Sequence, residues 1–299
     1  MSAYVASLEG TPAGHTAALF LALLAAVLHA VFGALQKGRH DPWLSRAAID
    51  ASYGLMSLPF ALFTVPWPTP RLWLLLGGAF GIHVVYKLLQ AMAYQRGAYT
   101  IVYPVVRGTA PFFAVIAASL VFSEHFTPGQ WGGVLVLVAG ILGLAVYNYR
   151  TVTVDRDTLV PALGLAALTG GFVALYTTYD AYGIRAADDP FTFLAWFFTI
   201  DGIFMPLYTR RRWRGLPASE MMPLLRRGVV GAVVAWFSFG SIMLATRLDK
   251  VGEAAVLRET STLWAALIGW LLLREKVGPV RLVLMVMIAA GAVLVEVAG

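Results

Sequence analysis

Residues 129–148 read GQWGGVLVLVAGILGLAVYN, and none of these twenty positions carries a charged side chain. A helix that crosses the hydrocarbon core of a bilayer, about 30 Å thick, needs about 20 mainly apolar residues. Because lipid offers no partner for an exposed backbone N–H or C=O group, a helix is the structure that such a stretch should adopt. We therefore predict a transmembrane helix here.

Similar runs fill the rest of the chain. Apolar residues make up 59% of the 299 positions and charged residues 13%, whereas soluble domains carry about 45–50% and about 25%. The mean hydropathy is +0.75. A soluble fold of this size could not bury so much apolar surface. We expect an all-α polytopic membrane protein with the lipid bilayer as its solvent.

Ten runs have the length of a membrane span. Gly, Pro and charged residues end one run and begin the next, as at Asp188-Asp189-Pro190. The longest connection, 210–227, holds six arginines and is expected to lie as a basic arm on the membrane surface. The predicted spans are 16–36, 47–66, 71–94, 98–122, 129–148, 159–181, 190–209, 227–247, 251–273 and 279–297.

The charges outside the spans predict an orientation. Most lysines and arginines fall in odd-numbered connections; the exceptions are Arg71, Arg185, Arg247 and Lys250. By the positive-inside rule the odd-numbered connections should be cytoplasmic and both termini outside. Orientation then accounts for the net charge of +6, and no nucleic-acid partner is expected. The first fifteen residues lack Lys and Arg, so we expect no cleavable signal peptide.

An offset of 151 positions aligns the chain with itself. Each half holds five spans, an odd number, so the second half must enter the membrane inverted relative to the first. We predict an N-terminal tail (1–15), two five-helix repeats (16–148 and 159–299) and a linker (149–158). A duplication without a transport role is the alternative. The matched pairs include Arg96 with Arg247, Arg107 with Arg258, Glu124 with Glu275, and Pro128 with Pro279.

Two features resemble the EamA type of the drug/metabolite transporter superfamily. Each half has a span ending in glutamate, Glu124 or Glu275, and the first continues with Gln130-Trp131-Gly132-Gly133. The resemblance implies ten helices around a central cavity and ATP-independent movement of small metabolites, often amino acids. Within the superfamily, the aromatic content is similar to that of YddG-type aromatic amino-acid exporters. The second copy departs from the pattern at 281–283, and many members have cytoplasmic termini, unlike the orientation predicted here.

Span three carries a polar stripe. His83, Lys87, Gln90 and Tyr94 recur at helical spacing and fall on one face. Charges inside a membrane are costly unless they face water or a partner, so the stripe is a candidate cavity wall. In this interpretation Lys87 binds a substrate carboxylate and His83 carries a proton. The Lys87→Ala protein should then lose binding of carboxylate substrates while its expression and folding stay largely intact. The alternative is a stripe of hydrogen bonds between helices.

Other intramembrane charges are candidates for charge coupling or structural ion pairs. Arg107 and Arg258, as repeat mates, are expected to clamp an acid or a carbonyl group. Asp201 is the deepest acid; it could pair with Lys87 or either arginine, take up a proton, or stay neutral. Glu259 follows Arg258 directly, and adjacent helical residues diverge by about 100°, so we expect these two side chains to point apart.

Aromatic residues supply further candidates for substrate contact. Tyr99 and Tyr103 precede Arg107 at spacings of four, and Tyr176, Trp236 and Trp264 lie near the middle of their spans. Aromatic rings there could stack on an apolar substrate, or could only pack the bundle. Two GxxxG spacings, 77–81 and 129–133, predict close helix packing.

The leading interpretation is a secondary transporter or facilitator that exports small metabolites, aromatic or hydrophobic amino acids first, by alternating access in an inner membrane. The chain lacks cysteine, phosphate-binding loops and hydrolase motifs, so we expect no metal, no cofactor and no enzyme activity. We also expect a monomer. The alternatives are a multidrug or nucleotide-sugar transporter of the same fold, a membrane-embedded enzyme using His83, Lys87 and Asp201, and a channel-like protein.

Overall fold

The computed structural model describes residues 2–36, 41–96, 99–151, 156–271 and 278–299. The described part of the chain contains helices and no strand, as predicted. In chain order the helices are α1 Ser2–Leu8, α2 Pro12–Gln36, α3 Pro42–Phe63, α4 Pro70–Arg96, α5 Tyr99–Phe122, α6 Pro128–Thr151, α7 Arg156–Ala186, α8 Pro190–Asp201, α9 Phe204–Tyr208, α10 Arg210–Arg214, α11 Ala218–Leu248, α12 Val251–Glu259, α13 Ser261–Leu271 and α14 Pro279–Val297.

Proline and aspartate set several helix starts. The carboxylate of Asp41 accepts a hydrogen bond from Trp43 N at 2.8 Å, and that of Asp189 accepts one from Phe191 N at 3.0 Å. A proline follows each aspartate at the first helical position, where its missing N–H costs nothing. The breaks that the sequence predicted at these residues are therefore built by ordinary N-capping.

Within the described residues, eight segments are long and apolar enough to cross a membrane: Pro12–Gly33, Pro70–Arg96, Val102–Phe122, Pro128–Thr151, Leu159–Ala186, Pro190–Tyr208, Ala218–Leu248 and Pro279–Val297. The predicted spans 47–66 and 251–273 are not among them. Helix α3 starts earlier than predicted and brings the charged pair Arg46 and Asp50 into the bundle. The region of 251–273 is divided at Thr260 into α12 and α13, directly after Arg258 and Glu259.

The predicted seventh span is also interrupted. Helix α8 ends at Asp201 and α9 begins at Phe204. The backbone of α3 lies close to this break: a Cβ atom added to Gly202 would lie 2.7 Å from Asp50 O and 2.8 Å from Gly54 Cα. Glycine at 54 and 202 therefore lets the interrupted helix rest directly on α3.

The basic arm is shorter than predicted. Helix α11 begins at Ala218 and includes Arg226 and Arg227, so only α10 and the turn after it separate α9 from α11. Arg212 forms a 2.6 Å ion pair with Asp41, and both side chains are partly exposed. The arm is thus attached to the start of α3.

One of the two predicted GxxxG contacts is confirmed. A Cβ atom on Gly133 would lie 2.7 Å from Gly291 O, so the backbones of α6 and α14 approach closely there. A Cβ atom on Gly77 or Gly81 would meet nothing within 4 Å. The prediction of a close contact at 77–81 is wrong, because no atom of the described residues approaches an added Cβ atom at either glycine.

Gly291→Ala should lower the unfolding temperature, because its Cβ atom would lie 2.6 Å from Gly133 O, a backbone atom that cannot move aside cheaply. Gly77→Ala is the matched control. It should be neutral or stabilising by up to about 1 kcal/mol, since alanine favours a helix over glycine. Thermal unfolding in detergent measures both; equal effects of the two substitutions would contradict the assigned α6–α14 contact.

Candidate functional site

Lys87 lies at the centre of a buried ion network rather than on an open wall. Its side chain is fully buried, and its ammonium group lies 2.7 Å from Asp50 Oδ2 and 2.8 Å from Asp201 Oδ1. The same group donates to the Asp201 backbone carbonyl at 2.8 Å and to the Tyr53 hydroxyl at 3.1 Å. Helices α3, α4 and α8 therefore meet at one lysine.

The network is balanced in charge. Arg46 donates from Nε to Asp50 Oδ1 at 2.7 Å, which adds a second cation to the two carboxylates. Tyr53 donates its hydroxyl proton to Asp201, and Gln90 accepts from Arg46 at 3.5 Å. Two cations thus face two carboxylates inside the bundle. Of the partners predicted for Asp201, the structure selects Lys87.

Sequence reasoning missed Arg46 and Asp50. The predicted span began at 47 and so left Arg46 outside the membrane. The i, i+4 spacing of an arginine and an aspartate was the available signal, because such residues are neighbours on a helix surface. Gln90, which was predicted, joins the network and also donates to Tyr86 at 2.7 Å.

Replacing Lys87 with methionine should destabilise the fold by about 3–5 kcal/mol, because it leaves two buried carboxylates with one cation. This reverses the expectation that a Lys87 variant folds normally. Arg212→Met, which breaks the partly exposed pair with Asp41, should cost under about 1 kcal/mol. Chemical unfolding in detergent tests the difference. A Lys87→Met protein as stable as the wild type would refute the network's structural role.

His83 pairs with an acid that the sequence did not single out. Its Nε2 atom lies 2.8 Å from Asp180 Oδ2, and both side chains are buried. The other carboxylate oxygen, Asp180 Oδ1, is buried and has no hydrogen-bond partner among the described residues. The His83 ring also lies 4.6 Å from the ring of Tyr176. Asp180 was overlooked because it stands at the predicted end of a span, where charge is ordinary.

Arg107 and Arg258 share one carboxylate, that of Glu259. Arg107 Nη1 donates to Oε1 at 3.0 Å and to Oε2 at 3.2 Å; Arg258 donates to Oε1 from Nε and Nη2, both at 3.2 Å. The prediction that Arg258 and Glu259 point apart is wrong. Helix α12 ends at Glu259, and the long guanidinium side chain reaches around to its neighbour. Arg258 also donates to Thr177 Oγ1 at 3.1 Å.

A small cavity adjoins the arginine cluster. It measures about 10 Å³, which is about the room that one water molecule needs. Tyr176 is almost fully buried, and its hydroxyl has no hydrogen-bond partner among the described residues. The cavity lies between α7, α11 and α12 and is lined by Tyr176, Thr177, Asp180, Phe239, Ile242, Met243, Thr246 and Arg258.

The other aromatic candidates are dispersed. Trp236 donates from Nε1 to Ser57 at 2.8 Å and stacks on Phe198, which ties α11 to α3 and α8. Tyr94 is half-buried and packs against the same buried hydrophobic cluster that contains Phe198. Tyr103 is buried beneath the Arg107 guanidinium, whose Cζ lies 5.6 Å from its ring centroid. Trp264 Nε1 is buried without a hydrogen-bond partner in the described part of the chain. The Tyr99 side chain lies outside the described residues.

Glu124, which follows α5, and Arg185, near the end of α7, bond to residues around the connection between α11 and α12. Glu124 accepts hydrogen bonds from Val251 N at 2.6 Å and from Gly252 N at 3.0 Å, so it caps the start of α12. Arg185 donates to the backbone carbonyls of Thr246 at 2.7 Å and Asp249 at 2.6 Å. The repeat mate of Glu124, Glu275, lies outside the described residues.

Two segments of the chain, 16–146 and 160–297, match the EamA-like transporter family. The chain belongs to this family. A solved structure described only as the crystal structure of a protein has a TM-score of 0.74 and 17% identity, covering 94% of this chain and 99% of the other. At that identity the likeness shows the fold alone. No curated protein matches. The EamA assignment makes the chain a multi-pass membrane transporter that acts on small molecules, while the resemblance to YddG-type exporters remains a prediction.

Glu124 gives this EamA-family chain a dependence of stability on pH. Burial raises the pKa of Glu124 above its usual 4.5, and the N–H groups of Gly252 and Val251 lower it only in part. The folded protein therefore keeps the proton at pH values where the unfolded chain has lost it. The Glu124 contribution to the free energy of unfolding falls as pH rises from about 4.5 through the raised pKa.

Glu124→Gln should remove this decline, since glutamine does not titrate and its oxygen can still accept one backbone hydrogen bond. Unfolding temperatures measured from pH 4 to pH 8 in detergent give the comparison. Parallel pH profiles for the wild type and the Gln variant would show that Glu124 does not titrate with a raised pKa in the folded state.

Proposed function

We propose that this EamA-family protein is a secondary transporter or facilitator that exports small metabolites, amino acids first, by alternating access. The observation that carries the proposal is the buried cluster of Arg107, Arg258 and Glu259. It joins the two family-matched segments and stands beside a cavity lined by polar and apolar groups. Charges are kept inside a membrane protein where they pair with each other or act on a substrate pathway.

We further propose ten spans arranged as two inverted five-helix repeats, with α3 and the α12–α13 pair as the second and ninth. The double family match supports this arrangement. So do two sets of repeat mates: Arg107 and Arg258 meet at Glu259, and Gly140 and Gly291 both lie in the α6–α14 contact. Mates from inverted repeats come together in this way when they flank a common axis.

In the proposed cycle, the described conformation is the one closed at the end that carries Glu124 and Arg185. Opening requires the backbone contacts of Arg185 with Thr246 and Asp249 to break. The Lys87 network then holds α3, α4 and α8 together as one unit, while the arginine cluster faces the substrate. We therefore assign Lys87 and Asp201 to structure and Tyr176 and Arg258 to substrate contact.

Transport rather than catalysis is the function that these groups favour. An enzyme built on His83, Lys87 and Asp201 would need at least one of them facing a reactant. Each is buried against a protein partner: His83 against Asp180, and Lys87 against Asp201 and Asp50. We propose no enzyme activity and no cofactor.

Counterflow into proteoliposomes tests transport. Vesicles preloaded with an unlabelled amino acid should accumulate the labelled form, and Arg258→Lys should slow uptake by about tenfold, because lysine keeps the charge but loses the bidentate geometry. Arg212→Lys, at an exposed pair, is the control and should exchange at the wild-type rate. Failure to exchange any member of a panel of amino acids, drugs and sugar conjugates would refute the proposed function.

We also propose that the Arg210–Arg214 end faces the cytoplasm of an inner membrane and that the protein is a monomer. The exposed arginines of α10 support this orientation through the positive-inside rule. The chain has no cysteine, so labelling of a single introduced Cys shows on which side of the membrane that position lies.

In intact cells an impermeant thiol reagent should label Ser7→Cys on α1 and spare Arg214→Cys at the end of α10. Both positions are exposed, and the proposed spans place them on opposite sides of the membrane. Labelling should appear at Arg214→Cys once the membrane is permeabilised. The reverse pattern would assign both termini to the cytoplasm.

A further inference from the structure

We infer that a patch of arginines on α10 and the first turns of α11 binds the phosphate headgroups of anionic phospholipids. The partner is a lipid whose headgroup has a net negative charge, such as phosphatidylglycerol. The inference goes beyond the proposed transport function and does not depend on what the protein transports. The arginine patch consists of Arg210, Arg211, Arg214 and Arg226.

The protein itself leaves the charge of the arginine patch uncompensated. Residues 210–227 hold six arginines and one acid, the exposed Glu220. Arg212 is already paired with Asp41 at 2.6 Å. All four residues of the patch are exposed, and none of them forms an ion pair with an acid in the described part of the chain. The charge balance therefore calls for an anion from outside the chain.

Arg226 stands on a face of α11 that is otherwise apolar. Exposed residues recur there at helical spacing, namely Met222, Arg226, Val229 and Val233, so they share one side of the helix. Met222 and Val229 are each more than half exposed, as expected where a helix long and apolar enough to cross a membrane meets lipid. A long basic side chain on such a face lowers its cost by extending to the level of the headgroups, where it meets phosphate.

Contacts with the bundle hold α10 next to this helix. Trp213 Nε1 donates to Thr209 Oγ1 at 3.1 Å, and Trp213 packs against the buried cluster that contains Leu44 and Leu224. Because Leu224 belongs to α11, α10 lies against the helix that carries Arg226. The arginines on both sides of Trp213 are thus presented from a fixed support, so a ligand loses less free energy to ordering than it would on a free chain.

Exposed apolar residues beside the arginines favour a lipid over a soluble anion or an acidic protein. Leu207 on α9 is more than half exposed and precedes Arg210 and Arg211 by one helical turn. Acyl chains would cover Leu207 and Met222 while the phosphate meets the guanidinium groups, which bind phosphate through paired N–H···O bonds. A zwitterionic headgroup carries its own ammonium group, so it should be attracted less.

Native mass spectrometry of the full-length protein in detergent tests the inference. It measures the dissociation constant of the first bound lipid for phosphatidylglycerol and for phosphatidylcholine with the same acyl chains. Phosphatidylglycerol should bind about tenfold more tightly or better, because several arginines act on one uncompensated negative charge. The acyl-free headgroup glycerophosphoglycerol and a hexaglutamate peptide are the soluble competitors, and neither should displace the lipid.

Charge-neutralising variants locate the site. Arg226→Gln should weaken phosphatidylglycerol binding about fivefold, and the double variant Arg211→Gln/Arg214→Gln about 25-fold, since each basic residue near an anionic lipid contributes about a factor of five. Arg71→Gln is the matched control and should change binding less than about twofold. Arg71 is exposed in the first turn of α4, whereas the last turn of that helix contacts Trp43 beside the patch. If the double variant does not fold, Arg226→Gln decides alone.

Tighter binding of phosphatidylglycerol that falls in the patch variants and not in Arg71→Gln would support the inference. Equal binding of the two lipids, equal losses in Arg226→Gln and Arg71→Gln, or displacement by the acyl-free headgroup would overturn it. Displacement by hexaglutamate would also overturn it and assign the patch to an acidic protein partner. Every one of these results leaves the transport proposal standing, because binding is measured in detergent without a vesicle.

Discussion

The carboxylate of Glu259 holds two arginines, Arg107 from the first family-matched segment and Arg258 from the second. In a membrane interior no charge can remain without a partner at small cost, so this one acid fixes the approach of the two segments. The same interaction therefore stabilises the contact between the two segments, and Arg258 also lines the cavity between α7, α11 and α12.

The Lys87 network is a second buried cluster in which each charged group has a partner of opposite charge. Lys87 lies between Asp50 and Asp201, and Arg46 completes a neutral set. A neutral, fully buried network suits a structural role, because adding a ligand charge would disturb its balance. We propose the cluster of Arg107, Arg258 and Glu259 for substrate contact, because Arg258 lines the adjoining cavity.

Both clusters stand where a helix is interrupted. Helix α8 ends at Asp201 and α12 ends at Glu259, so each break places a carboxylate at the negative end of a helix dipole. Cations at these ends are favourable, and Lys87 bonds both the Asp201 carboxylate and its backbone carbonyl. Interrupted helices with charged ends near the middle of the bilayer are a recurrent means of building transporter sites.

The sequence allowed the helices and several charged residues to be predicted. Long apolar runs located the eight segments of the described residues that are long and apolar enough to cross a membrane. The offset of 151 identified Arg107 and Arg258 as mates that clamp an acid or a carbonyl group, and the acid is Glu259. Asp180 and Asp50 were not predicted, because pairing between helices depends on tertiary packing and the periodicity of one sequence does not report it. The contact of Arg258 with Glu259 was not predicted, because the angle between adjacent side chains in a regular helix does not apply at the end of α12. Lys87 was predicted to line a cavity, whereas it is buried between Asp50 and Asp201; these partners lie on other helices and could not be read from its own.

A double-mutant cycle between Arg107→Gln and Glu259→Gln tests the central interaction most directly. Free energies of unfolding would be measured for the wild type, both single variants and the double variant in detergent. A shared buried carboxylate predicts a coupling free energy of about 1 kcal/mol or more. Additivity within about 0.3 kcal/mol would show that the two residues do not interact and would contradict the account.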